Sequence, residues 1–233
     1  MLLGSFQLLQ DDPSSFVRLA VLIAFSLVTA VTVHEFSHAL VATGLGDNTA
    51  RSLGRLSLNP KRHLDPSGTI MILAAGFGWG KPVPVDPKQL SRGHTDTALV
   101  AAAGPLSNLI VAFLLAIPFK AGLLVPAGLS LDRVAYVMTG GLSDGIADIL
   151  ALLIFFNLLL GIFNLIPLAP LDGSRVMAGF VPSEHFAAYS KVQRNGPALL
   201  VAIVMLDCAL GLGILWTVIG PILRTLTTLA TGY

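Results

Sequence analysis

The stretch TAVTVHEFSHAL, Thr29 to Leu40, ends an apolar run that begins near Phe16 and is long enough to cross a lipid bilayer. Its middle residues, HEFSH, are out of place in such a run. An ionisable side chain inside a span costs roughly 2.5–3.5 kcal/mol on insertion scales and is functional by default. His34 and His38 are four positions apart, which on a helix leaves them about 40° apart around the axis, on one face. Both imidazoles then reach a single ion. Glu35 flanks that face, poorly placed as a third ligand but well placed to touch a water on the metal. This is the HExxH arrangement, two zinc-binding histidines with a glutamate as general base. The other reading of the pattern is a polar helix end whose histidines are satisfied by hydrogen bonds, and the cost of burying them counts against it.

The rest of the chain fits a membrane setting. Of 233 residues, 54% are hydrophobic and 12% charged, with a mean hydropathy of +0.80. Soluble domains carry about a quarter charged residues, so this composition suits lipid. A net charge of +1 without a basic run gives no reason to expect a nucleic-acid partner. The single cysteine, Cys208, excludes an internal disulfide and a thiolate metal cluster. The N-terminus, MLLGSFQLLQDDPSS, lacks the basic region of a cleaved signal peptide, so the first apolar segment is expected to be retained. With no repeat or long polar linker, residues 1–233 read as one membrane-embedded domain.

Four segments have the roughly 20 apolar residues that a spanning helix needs: Phe16 to Ala42, Ala98 to Phe119, Ile146 to Leu168, and Pro197 to about Gly220. Gly68 to Gly80 is apolar but short and glycine-rich, and whether it crosses is left open. The C-terminal IGPILRTLTTLATGY reads as a short interfacial helix. The fold expected is mainly α, polytopic, with about four to six transmembrane helices. Lys and Arg collect on the cytoplasmic side. With the N-terminus outside, the inner segments 44–97 and 169–196 hold Arg51, Arg55, Lys61, Arg62, Lys81, Lys88, Arg92, Arg175, Lys191 and Arg194, ten of the 14 basic residues. The segment 44–97 contains RLSLNP, HLDPSG and GKPVPVDP. Prolines bar the Lys81–Val85 alternation from a central strand but allow an edge, and bare backbone in lipid is costly. A small re-entrant β region, shielded by the helices, is therefore expected between the first two long spans.

Zinc with an open coordination position takes three protein ligands. The candidate for the third is Asp172 in FNLIPLAPLDGSRV (Phe163–Val176), beside Gly173, which permits close backbone approach. It follows the third span and so lies on the same side of the membrane as the end of the first. The plainer alternative is Asp172 as the N-cap of a helix from Gly173 to Phe180. Asn164, eight residues earlier, is an amide in an apolar span, where an unpaired amide is expensive; it either bonds a neighbouring helix or holds a substrate carbonyl or oxyanion.

HEFSH in an early span with NLIPLAPLDG in a later one resembles the site-2 protease family of intramembrane zinc metalloproteases. AAGPLSN (Ala102–Asn108), NPKRHLDPSG and GFGWGKPVPV look like its compact prokaryotic branch, and the resemblance runs from about Val28 to Val176. It implies one Zn2+ per chain held by His34, His38 and Asp172, Glu35 as catalytic acid/base, and Asn164 as a substrate-positioning residue. It also implies cleavage of transmembrane-helix substrates in a prokaryotic plasma membrane, with the site toward the cytoplasm. No stretch is long enough for a PDZ or CBS domain. Gly104 reads as close helix packing, and Pro105 as the first turn of a helix. Asn108 reads as packing or a contact to loop or substrate, and His63 as structural, gate-like or substrate-contacting. An extended substrate is expected to pair with the edge around Val83 and Val85. The rival reading is a metal-transporting or metal-sensing membrane protein using the same ligands without hydrolysis. It would string polar residues along several helices, whereas these residues form one compact cluster.

Overall fold

The computed structural model describes residues 10–68, 71, 80–125 and 142–233. Most of Gly68–Gly80, with the question of whether it crosses, lies outside the described residues. Helix α1 is Pro13–Gly44, followed by the single turn α2, Thr49–Ser52. Helix α3, His94–Leu115, runs into the short α4, Ile117–Lys120, and α5 is Leu142–Asn164. After α5 come α6 (Asp172–Ala178), α7 (Ser183–Arg194), α8 (Gly196–Leu210) and α9 (Ile214–Thr231).

Helix α1 starts where Asp12 accepts from the amides of Ser14 and Ser15 at 3.0 and 3.1 Å, with Pro13 at the first position, where its missing N–H costs nothing. Four of its hydroxyls are satisfied within the helix. Thr29, Thr32, Ser37 and Thr43 each donate to the carbonyl four residues earlier, at 2.6–2.8 Å. Small buried residues, Ala30, Ala39 and Ala42, let neighbouring backbone come close.

The directions of the long helices follow from their side-chain contacts. His34 meets Asn108 and His38 meets Val100, so α1 and α3 are antiparallel. Asn108 meets Asn157, while Gly161 faces Pro105 and Leu109, so α3 and α5 are antiparallel too. Helices α1 and α5 thus run the same way, and the residues after α5 return to the end of α1 that carries the histidines. The apolar core joins Leu19 and Ile23 of α1, Ala112 of α3, Ile154, Phe156 and Leu158 of α5, and Ile219 and Leu223 of α9. Four helices are long and apolar enough to cross a bilayer: Pro13–Gly44, His94–Lys120, Leu142–Asn164 and Ile214–Thr231.

Three sequence expectations change. The expected span from Pro197 to Gly220 is broken at Gly211 and Gly213, whose φ values of +61° and +65° belong to the left-handed region that glycine tolerates. Asp207 then bonds the amides of Ile214 and Leu215, starting a new helix. The C-terminal stretch read as interfacial is the body of that helix, α9, with Ile219 and Leu223 in the core. Pro105 sits inside α3, not in its first turn, because the helix begins at His94.

The expected β region between the first two long spans is also not supported among the described residues. Among the described residues no strand forms, and the only pairing is an isolated antiparallel bridge between Leu64 and Gly80. Pro82 and Pro84 cannot donate to a ladder, and short 3-10 turns at Pro60–Arg62 and Pro87–Gln89 take its place. Side chains hold the extended piece between them. Arg55 Nη2 donates to the carbonyls of Lys81 and Pro82, the Lys81 amide donates to His63 O at 2.7 Å, and the Asp86 amide donates to Asp47 at 2.7 Å.

Candidate metal centre

His34 and His38 lie in the last third of α1, one turn apart, and both are buried. Each imidazole is held by its Nδ1. His34 Nδ1 is 2.7 Å from Asn108 Oδ1, and His38 Nδ1 is 2.7 Å from the carbonyl of Val100. A backbone carbonyl only accepts, so His38 carries its proton on Nδ1 and its Nε2 lone pair is free. The same assignment for His34 comes through a chain of amides. Asn157 Nδ2 donates to the carbonyl of Leu153 at 2.8 Å, so its Oδ1 is the atom facing Asn108. Asn108 Nδ2 donates to that oxygen at 2.8 Å and to Ala30 O at 3.0 Å, leaving its Oδ1 to accept from His34. Outer partners of this kind fix the tautomer and ring orientation of metal-binding histidines.

Asp172 completes the cluster. Its Oδ2 lies 3.0 Å from His34 Nε2 and 3.2 Å from His38 Nε2. The three ligand atoms fall within 4.8 Å of one another, on segments far apart in the chain. The capping alternative fails, because Leu171 is the residue before α6 and Asp172 makes no side-chain cap bond. Gly173 lets this turn close: a Cβ there would fall 2.3 and 2.4 Å from the carbonyls of Leu165 and Ile166.

Two free imidazole nitrogens and one carboxylate oxygen are the donor set of a catalytic zinc site. The local shape agrees. A Cβ on Gly104 would sit 2.4 Å from His38 Nε2 and 2.7 Å from His34 Nε2, so α3 shows bare backbone to the two nitrogens. Glu35 stands beside this cluster, half-buried, with Oε2 accepting from the Val83 amide at 3.1 Å. Gly80 packs over it: a Cβ there would lie 3.5 Å from Glu35 Oε1 and 3.1 Å from Val31.

A profile of peptidase family M50, the site-2 proteases, matches residues 22–206. The chain belongs to peptidase family M50. Over 194 residues, 83% of this chain and 84% of the relative, it is 40% identical to YwhC of Bacillus subtilis, provisionally named a zinc metalloprotease. It is 29% identical over 166 residues to Rip2 of Mycobacterium tuberculosis, which bears the same provisional description and of whose length the match covers 58%. Rip2 of Mycolicibacterium smegmatis is 28% identical over 207 residues, 85% of this chain and 71% of that protein. No solved structure matches. This M50 protein is thus a zinc metalloprotease, and with its four apolar helices it is a multi-pass membrane enzyme that acts within the membrane.

The other residues singled out in the sequence lie around the M50 centre in different ways. Asn164, at the end of α5, spends its amide N–H on the carbonyl of Leu160 at 3.0 Å, inside its own helix. Asn108 is fully buried, with both its oxygen and its nitrogen engaged by protein, so it offers a substrate nothing. His63 is fully buried beside the loop, with Nε2 2.6 Å from Ser57 O. Val83 is buried and in contact with Glu35; Val85, half-buried, packs against a small cluster of Ala39, Ala50 and Val83. Sequence reasoning missed Asn157 and Arg55. Asn157 had a signal, an amide in the apolar run FFNLLLG. Arg55 was legible only as one charge among the basic residues.

Proposed function

We propose that this enzyme hydrolyses peptide bonds within or near transmembrane helices of other membrane proteins. Its zinc is held by His34, His38 and Asp172, and Glu35 is the acid/base. The observation that carries this reading is the convergence of the three ligand atoms beside a glutamate that the loop grips by a backbone amide. When bound, zinc supplies Lewis acidity to the scissile carbonyl and lowers the pKa of water toward about 7. The chain's residues do the rest. Asn108 and Val100 aim the imidazoles, and Asp172 closes the ligand set. Glu35 takes a proton as the water oxygen bonds to the carbonyl carbon, then gives one to the amine as the C–N bond breaks.

Substrate helices have their backbone groups in internal hydrogen bonds and must unwind to be cut. The unwound segment lies along Val83 and Val85, with the Val83 amide exchanging from Glu35 to substrate, and Asn164 steadies it from the end of α5. His63 supports that wall and makes no substrate contact in this reading. In this reading the site faces the cytoplasm of a prokaryotic plasma membrane and residues 1–233 work as one domain; the basic residues of 44–97 and 169–196 support the cytoplasmic side. The test is cleavage of single-span substrates by purified protein in detergent, wild type beside Glu35→Gln, with zinc quantified in both. The expected result is about one zinc per chain in both and cleavage by the wild type alone, a loss of at least about 10²-fold. Equal cleavage by Glu35→Gln would remove Glu35 from the chemistry, and absence of zinc in both would remove the centre.

A further inference from the structure

Beyond the metal ligands and the base, the least expected group near the centre is a buried cation. Arg55 is 6% exposed, whereas the other described guanidinium groups stay nearer water. One nitrogen, Nη2, donates to two successive carbonyls, those of Lys81 and Pro82. Burial pushes the guanidinium pKa down and the charge of Glu35 counters it, so the two side chains act on each other across the loop.

The segment that Arg55 holds is the one that reaches the base. Residues 81–86 contain two prolines and form no strand, so no ladder fixes their height above α1. The Lys81 amide is tied to His63 O, and the Asp86 amide to Asp47. Between these ends the carbonyls of Lys81 and Pro82 are held, among the described residues, by Arg55, and the N–H of the same Pro82–Val83 peptide unit is the one on Glu35 Oε2. Arg55 does here what a neighbouring strand does in a sheet.

We propose that Arg55 is a positioning residue for the catalytic base, acting on Glu35 through the backbone of Lys81–Val83 and not through the metal. This rests on Glu35 being the base. Because a single nitrogen makes both contacts, a lysine ammonium can replace it. Gly80→Ala perturbs the same segment from its other end, since its Cβ would meet Val31 at 3.1 Å and His63 O at 3.3 Å and lie 3.5 Å from Glu35 Oε1.

The experiment combines zinc content, steady-state cleavage of a single-span substrate and amide hydrogen exchange in detergent. It uses wild type, Arg55→Met, Arg55→Lys, Gly80→Ala and Glu35→Gln. For Arg55→Met the expected result is wild-type zinc, kcat lower by about 10²-fold with KM little changed, and faster exchange confined to residues 80–86. Arg55→Lys regains part of the rate, and Gly80→Ala loses rate with zinc retained. The proposal is overturned if Arg55→Met exchanges faster but keeps its kcat, if it loses zinc in step with its rate, or if the lysine variant is as slow as the methionine one. Should Arg55→Met fail to fold, an undiminished kcat in Gly80→Ala overturns it instead. Exchange reports the anchoring whether or not the enzyme turns over, whereas cleavage by Glu35→Gln would overturn the assignment of the base.

Discussion

Gly104 shows how much of the site depends on one missing atom. Its Cβ position lies 2.4 and 2.7 Å from the two Nε2 atoms, closer than real carbon contacts come, and α3 cannot retreat because Gly161 of α5 packs on Pro105 and Leu109 behind it. Gly104→Ala is expected to lose zinc while keeping its helices, read by metal analysis beside circular dichroism. Gly161→Ala, whose Cβ would meet Leu109 and the Pro105 carbonyl at 3.1 Å, should cost stability and leave the metal. The amide chain behind His34 gives a second expectation. Asn157→Leu keeps shape but removes the group that holds Asn108, and Asn108→Ala removes the acceptor itself. Zinc affinity, measured by chelator competition, should fall about 10–100-fold for Asn108→Ala and less for Asn157→Leu, where Ala30 O still orients Asn108. His34, Glu35 and His38 stood out because ionisable groups at helical spacing are costly in lipid, and Asp172 because an open zinc site needs a third ligand; the fold brings His34, His38 and Asp172 together. Asn157 was equally visible as a costly buried amide, but what it bonds depends on the packing of two other helices, which spacing does not encode.

Among the elements, the long helices were legible because an apolar run has one structure in a bilayer, and the breaks were not. The step from α8 to α9 depends on two glycines in left-handed conformation and on Asp207 turning to cap the first amides of α9, choices that a hydropathy count does not register. The loop over the base misled for a related reason. KPVPV alternates like a strand, yet it is held by the Arg55 side chain, the His63 carbonyl and Glu35 of α1, with Asp47 fixing the residue after it. Asp47 is one of the groups that fix this region, fully buried and accepting from the amides of Thr49 and Asp86. Burial raises its pKa, but those hydrogen bonds prevail and hold it below the ordinary carboxylate value. A depressed folded-state pKa means stability that is present above the unfolded value of about 4 and is lost as pH falls through the folded one. Asp47→Asn should therefore lower the unfolding temperature at pH 7, with the gap to wild type closing as the pH is taken below about 4. A gap unchanged with pH would mean that its charge contributes nothing.

At the scale of the molecule, the metal site joins the first long helix to the segment after the third, with His34 and Asp172 138 positions apart. Side chains so distant meet only in the folded chain, so with His34, His38 and Asp172 as the proposed ligands zinc binding is coupled to folding. Thermal unfolding in detergent at a series of buffered free-zinc levels should show stability rising by about 1.4 kcal/mol per tenfold zinc above the dissociation constant, and flat below it. An unfolding temperature indifferent to zinc would contradict the site. The face of the ligand cluster toward α3 also bears on how anything arrives there. Bare main chain at Gly104 has no rotamers, so that side neither swings nor repacks. The imidazoles are 6% and 9% exposed and the Asp172 side chain 15%. Whatever reaches the centre therefore comes from a side other than α3, which stands against the two nitrogens as a fixed wall of main chain.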